Sequence, residues 1–162
     1  MKKIILFILV SIVFVSCKKG NSATPNNTIT ATIDGINYTF NKGIIDTSVA
    51  NGYPLIVVGA TDADSNAVLL EIETLSGVFT TTTYGLPNDT SNIAGFLVSN
   101  PISAYTNNED KPRPPFTVTV TSLKSTEAGI SIQGTFQGNI YLNGDTTQTP
   151  KVVTNGKFNF TK

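Results

Sequence analysis

From Thr28 to the C-terminus the chain alternates apolar and polar residues with a period of two, the spacing of a strand with one buried face. Ile29, Ala31 and Ile33 share one side and Thr30 and Thr32 the other. Asp34-Gly35 then supplies the residues of a two-residue hairpin turn, and Ile36, Tyr38 and Phe40 resume the apolar side. Val68, Leu70 and Ile72 repeat the pattern, as do Phe116, Val118 and Val120 against Thr117, Thr119 and Thr121. Residues 55–60 are apolar without alternation, as expected of a strand covered on both sides. Residues 79–84 and 93–99 are weaker strands. The longest signal runs over residues 130–142, where Ile130, Ile132, Phe136, Ile140 and Leu142 lie on one face, interrupted by Gly134 and Gly138. Glycines on an apolar face point to a bend, a bulge or the close approach of another chain. Val152, Phe158 and Phe160 mark a terminal strand. Beyond residue 16 no stretch places apolar residues at helical spacing. The pattern predicts an all-β fold: an antiparallel β-sandwich, or partly closed barrel, of about eight strands in one domain over residues 28–162.

The first sixteen residues follow a different rule. Lys2 and Lys3 precede a nearly unbroken apolar run over residues 4–15. That run is too short to span a hydrocarbon core of ~30 Å, and a charged start followed by a short apolar core is a secretory signal peptide, here residues 1–16. Cys17, the single cysteine of the chain, stands where the peptide should end. The stretch FVSC resembles the lipobox of bacterial lipoproteins, with Phe14 in place of the usual Leu. The resemblance implies cleavage before Cys17 and acylation of that residue, which would hold the protein on a membrane. Residues 17–27, polar and containing Gly, Ser and Pro, read as a flexible tether.

Composition narrows the chemistry. Cleavage would remove Lys2 and Lys3 and leave 9 basic against 11 acidic residues. No basic stretch or helix is available to neutralise phosphates, so nucleic acid is not an expected partner. With no His in the chain and Cys17 acylated, triads with a His base, Cys–His pairs and His-bearing zinc sites are excluded. No Gly-rich loop introduces a helix, so no phosphate or dinucleotide cradle is expected, and no cofactor. Glu71 and Glu73 lie two apart and would share a strand face instead of facing each other across a cleft, as a glycosidase needs. The expectation is a binding role without catalysis.

The segments VSCKK, ITATIDGINYTF, VLLEIETLSGVF, GISIQGTFQGNIY and VVTNGKFNF together resemble small outer-membrane lipoproteins of the Bacteroidetes kind, many of them domains of unknown function. The resemblance implies a β-sandwich-like domain anchored in an outer membrane and carries over no catalytic residue. No acidic cluster follows Cys17, and the resemblance reads that lack of a surface-export signal in favour of the periplasm-facing side. Asp145-Thr146-Thr147 is similar to the short O-glycosylation acceptor of exported proteins in that group, which would place a glycan on Thr146.

The expected partner is a glycan or a protein. Sugars stack on aromatic faces and Trp is absent, so Tyr53, Tyr84, Tyr105 and Tyr141 remain. Of these Tyr84, Tyr105 and above all Tyr141, on the polar face of the longest strand, are the candidate ligand-binding residues of a carbohydrate-binding module. A structural or assembly subunit would instead join through an exposed edge strand, for which the terminal segment 152–160 is the candidate. Residues 105–116, charged and Pro-rich, form a stiffened loop. Finally, Asp62, Asp64, Asn66 and Glu73 have the spacing of a helix-loop-helix calcium site. Ala67 occupies the position that needs Gly, and Val68, Leu70 and Ile72 alternate as a strand that would carry Glu73 away. An Asx-rich turn is the expectation, with a weak surface cation site at Asp62 and Asp64 as the alternative.

Overall fold

In the computed structural model every regular element among the described residues is a strand. These residues are 27–50, 52–74, 76–85, 92–99, 101–107, 116–127 and 129–162. The expected signal peptide, Cys17 and most of the 105–116 loop lie outside them.

Eleven strands follow one another: β1 (Thr28–Ile33), β2 (Ile36–Phe40), β3 (Lys42–Ala50), β4 (Tyr53–Thr61), β5 (Ala67–Glu73), β6 (Thr83–Tyr84), β7 (Asn92–Ser99), β8 (Ile102–Thr106), β9 (Phe116–Thr126), β10 (Gly129–Leu142) and β11 (Lys151–Thr161). All pairs are antiparallel. Sheet 1 has the order β6-β9-β10-β11-β1-β2. Sheet 2 runs β3-β4-β5-β7-β8 and continues onto the end of β10, where Tyr141 and Leu142 pair with β8.

Two runs of chain serve both sheets and bring the structure close to a closed barrel. The first is β2–β3, broken only at Asn41, whose N–H donates to Thr61 O at 3.1 Å. Its first half pairs with β1 and its second half with β4, so the run turns the corner between the sheets. The second is β10. Its register against β11 shifts between Phe136 and Gly138, where Gly138 takes a φ of 146° closed to a residue with a Cβ. Beyond that bulge the strand reaches β8. The expected bend in the longest strand is therefore real.

Gly134 is on the apolar face for another reason. A Cβ there would collide with Thr119 O and the Phe158 ring, and one at Gly156 would collide with Phe136. Gly134 lies opposite Phe158 and Gly156 opposite Phe136, so two phenyl rings lie over two bare backbones. The core continues through Ile29, Phe40 and Phe160 of sheet 1 and Ile56, Leu70 and Ile72 of sheet 2, all fully buried. Removing each from water contributes roughly 1.5–3 kcal/mol.

Three expectations change. The terminal strand is not an edge: β11 lies between β1 and β10 and is paired on both sides. Its alternation resembled an edge strand because only one of its faces is apolar, and periodicity says nothing of lateral neighbours. Residues 55–60 are not covered on both sides. Ile56, Val58 and Ala60 face the core, while Leu55 and Val57 are half-buried on the outward face. Two strands beyond the expected set appear, β3 and β8, and the weak strand expected over residues 79–84 shortens to β6. Ile44 is 70 % exposed and Ile102 is 82 % exposed, so apolar residues there do not mark a buried side.

Candidate ligand-binding face

The outward face of sheet 1 is built by the threonines that alternate with the core residues. Register across six strands sets Thr83 beside Thr119, Thr119 beside Thr135, Thr135 beside Lys157, Lys157 beside Thr30, and Thr30 beside Thr39. One row thus crosses the whole sheet and consists of five threonines and a lysine. Strands ~4.8 Å apart make it about 24 Å long. β-branched side chains hold their rotamers, so the hydroxyls are positioned before any ligand arrives. Thr83 and Thr119 hydroxyls are hydrogen-bonded to each other at 2.9 Å.

Amides flank the row. A shallow cleft of about 280 Å³ lies on one side, lined by Thr117, Thr119, Thr135, Gln137, Asn155 and Lys157 together with Phe136 and Gly156. A second of about 190 Å³ lies on the other, lined by Thr121, Gln133, Thr135, Lys157 and Asn159 among others. Thr135 and Lys157 border both. Ligand sites commonly begin at about 300 Å³, so the pair of clefts has the size of a small site. Hydroxyls and amides both donate and accept, which suits a ligand rich in hydroxyl groups.

Charge is divided between the sheets. The strands of sheet 1 carry Lys124, Lys151 and Lys157 and neither Asp nor Glu. Sheet 2 carries Asp46, Glu71 and Glu73 against Lys42. Lys151 is committed at the margin: its Nζ donates to Asp34 Oδ2 at 2.9 Å and stands 4.9 Å from the centroid of the Tyr105 ring. Asp34 Oδ1 accepts the Val152 N–H. Burial raises the Asp34 carboxyl, but the hydrogen bonds from Lys151 and Val152 outweigh it and hold the group below its ordinary value. The bond to Asp34 pushes Lys151 up, against some desolvation. Lys157 is exposed at the centre of the row.

The candidate tyrosines do not form one platform. Tyr84 is buried in the core, and its hydroxyl donates to Thr80 O and accepts from Thr80 N, both at 3.0 Å. It ties down the segment before β6 and presents no face to a ligand. Tyr105 is half-buried on the inward side of sheet 2, in a cluster with Phe96, Tyr38 and Phe40. Tyr141 pairs with Thr106 and is therefore on the opposite side from Tyr105, half-buried on the outward face of sheet 2. Tyr53 is exposed where β4 begins. Near Tyr141 a groove of about 230 Å³ lies over Gly95, lined almost wholly by apolar groups including Leu69, Leu97 and Ala104.

The DADSN segment is a turn. Asp62 Oδ1 accepts the N–H groups of Asp64 and Asn66, and Oδ2 accepts from Asn66 Nδ2. Asn66 Oδ1 in turn accepts the Ser99 N–H, and Ser99 Oγ donates to Asp64 O, which fastens the turn to the end of β7. The Asp62 carboxylate thus faces N–H donors on both oxygens, which argues against the alternative cation site with Asp64. Among the described residues no three Asp or Glu side chains gather as a metal site would need. Thr146 is exposed in the turn after β10, where Asp145 accepts from the Thr147 hydroxyl and Gln148 Nε2; these bonds hold Asp145 below its ordinary value.

The threonine row escaped sequence reasoning because it depends on the neighbours β9-β10-β11-β1. The alternation shows that each threonine faces outward, but not which strands lie side by side. No family model, curated protein or solved structure matches the chain.

Proposed function

We propose that this chain is a lipid-anchored, non-catalytic binding protein of the cell envelope that takes a glycan on the outward face of sheet 1. The cross-sheet row from Thr83 to Thr39, with clefts on both sides, carries the reading. A sugar chain laid along the row meets positioned hydroxyls and amides over about 24 Å. No catalytic step is needed for this role, and the side chains that line the clefts include no carboxylate of the kind a glycosidase needs. The anchor would be an acyl group on Cys17 at the end of the expected signal peptide, and the lack of an acidic cluster after Cys17 supports the periplasm-facing side of an outer membrane.

The test is a polysaccharide array probed with the labelled full-length chain in detergent. Thr119→Val with Thr135→Val keeps shape and strand propensity while removing two hydroxyls, and the expected loss of glycan binding is about tenfold or more. Retention of no glycan, or equal binding by the double variant, would overturn the reading. Labelled fatty acid should be incorporated by the wild-type chain and lost with Cys17→Ser.

A further inference from the structure

From the charge pattern we infer, building on the glycan reading, that the ligand is acidic, a polyuronate-type chain whose carboxylates meet Lys157. The reason is a contrast that neutral sugar binding would not require. The strands behind this face contain no acid and three lysines, of which Lys151 is paired with Asp34 and Lys124 and Lys157 remain, although the described part of the chain contains eight Asp and Glu residues in all. Those acids are in the strands of sheet 2 (Asp46, Glu71, Glu73) or in turns (Asp34, Asp62, Asp64, Glu127, Asp145). A carboxylate lying along the threonine row therefore has no strand carboxylate beneath it to repel it, whereas on sheet 2 it would face three.

Position within the row adds to this. Lys157 borders both clefts, so a sugar unit in either one brings its charge to the same ammonium. Threonines stand on each side, Thr135 and Thr30, ready to hydrogen-bond the ring hydroxyls next to the carboxylate. The row also holds no aromatic side chain on which a neutral sugar could stack, so hydrogen bonds and charge must supply the affinity.

The experiment titrates the full-length chain in detergent with a polyuronate oligomer and with a neutral oligomer of equal length, at low and high salt. Wild type should prefer the polyuronate, and the preference should shrink as salt screens the contact. Lys157→Gln should weaken polyuronate binding about fivefold and neutral binding by clearly less, while Lys124→Gln, further along the sheet, has a smaller effect on polyuronate binding. Equal binding of both oligomers, unaltered by Lys157→Gln, would overturn the acidic ligand and leave the glycan reading intact. Binding of neither would remove both. Single-stranded DNA bound as tightly as polyuronate would show attraction by charge alone and also overturn the proposal.

Discussion

The two sheets are alike on the inside and opposed on the outside. Both present fully buried aliphatic and aromatic residues to a shared core. Outward, sheet 1 shows threonine, glutamine and lysine. Sheet 2 shows Ile44, Leu55, Val57, Leu69 and Leu97, with its carboxylates among them. An outward residue on an uncovered sheet escapes core packing, though strand propensity and cross-strand pairs such as Thr83–Thr119 still favour threonine there. Chance can supply one apolar or one hydroxylated strand, but a row that stays consistent across six strands from distant parts of the chain is a property of the assembled surface. The comparison teaches that the shared interior stabilises the fold, and that the proposed recognition rests on what differs between the exteriors.

The largest effects should come from where sheet 1 packs against itself. Phe158→Ala leaves the space over Gly134 empty and should cost about 3–5 kcal/mol in chemical denaturation. Gly134→Ala forces a Cβ into the same ring and the Thr119 carbonyl and should cost about 1–3 kcal/mol. On sheet 2 the same change behaves differently. A Cβ at Gly95 meets only Tyr105 O at 3.9 Å, so Gly95→Ala should be neutral or stabilise by up to about 1 kcal/mol. Equal losses at Gly134 and Gly95 would show that the two glycines do not differ as the packing requires.

Much of this was readable from the chain, for reasons that also mark the limit. Strand faces follow from a period of two, so the inward set Ile29, Ala31, Ile33 and the hairpin at Asp34-Gly35 appear as expected, with Asp34 at φ 50° and Gly35 at 79°. Lateral order does not follow from period. β1 pairs with β11 more than a hundred residues away, and this pairing together with that of β10 sets Lys157 between Thr135 and Thr30. The tyrosines illustrate the same limit. Tyr105 and Tyr141 both looked available, yet pairing with opposite-facing neighbours sends one inward and the other outward. Tyr38, read only as part of an apolar face, is a member of the aromatic cluster at the corner of the two sheets.

An intermediate effect belongs to the seam, where Lys151 of β11 meets the β1–β2 turn. The Asp34 carboxyl is held below its ordinary 3.8, so its contribution is present above that pH and lost as pH falls through the lower folded value. Lys151 is raised above 10.5, so its contribution is present below that pH and lost as pH rises through the folded value. Asp34→Asn should therefore lower stability between these limits and leave it unchanged in stronger acid. Because the Asp34 side chain is 40 % exposed, solvent screening keeps the loss to about 1 kcal/mol or less. A loss that persists unchanged at pH 2 would assign the effect to the turn backbone instead of the charge.

The smallest expected effect on stability is the most informative about the two exteriors. Lys157→Gln and Glu71→Gln each remove one charge from an outward strand position, on sheet 1 and sheet 2 respectively. Neither side chain belongs to a salt bridge found among the described residues, so both variants should unfold within about 0.5 kcal/mol of wild type. Their effects on polyuronate binding should nevertheless separate, with Lys157→Gln weakening it and Glu71→Gln leaving it unchanged or slightly tighter through reduced long-range repulsion. Two substitutions equal in stability and unequal in binding would locate recognition on one face, since a global electrostatic effect would move both in proportion to the change in net charge. If both shifted binding by similar amounts in opposite directions, net charge would account for the attraction and the threonine face would lose its claim to the ligand.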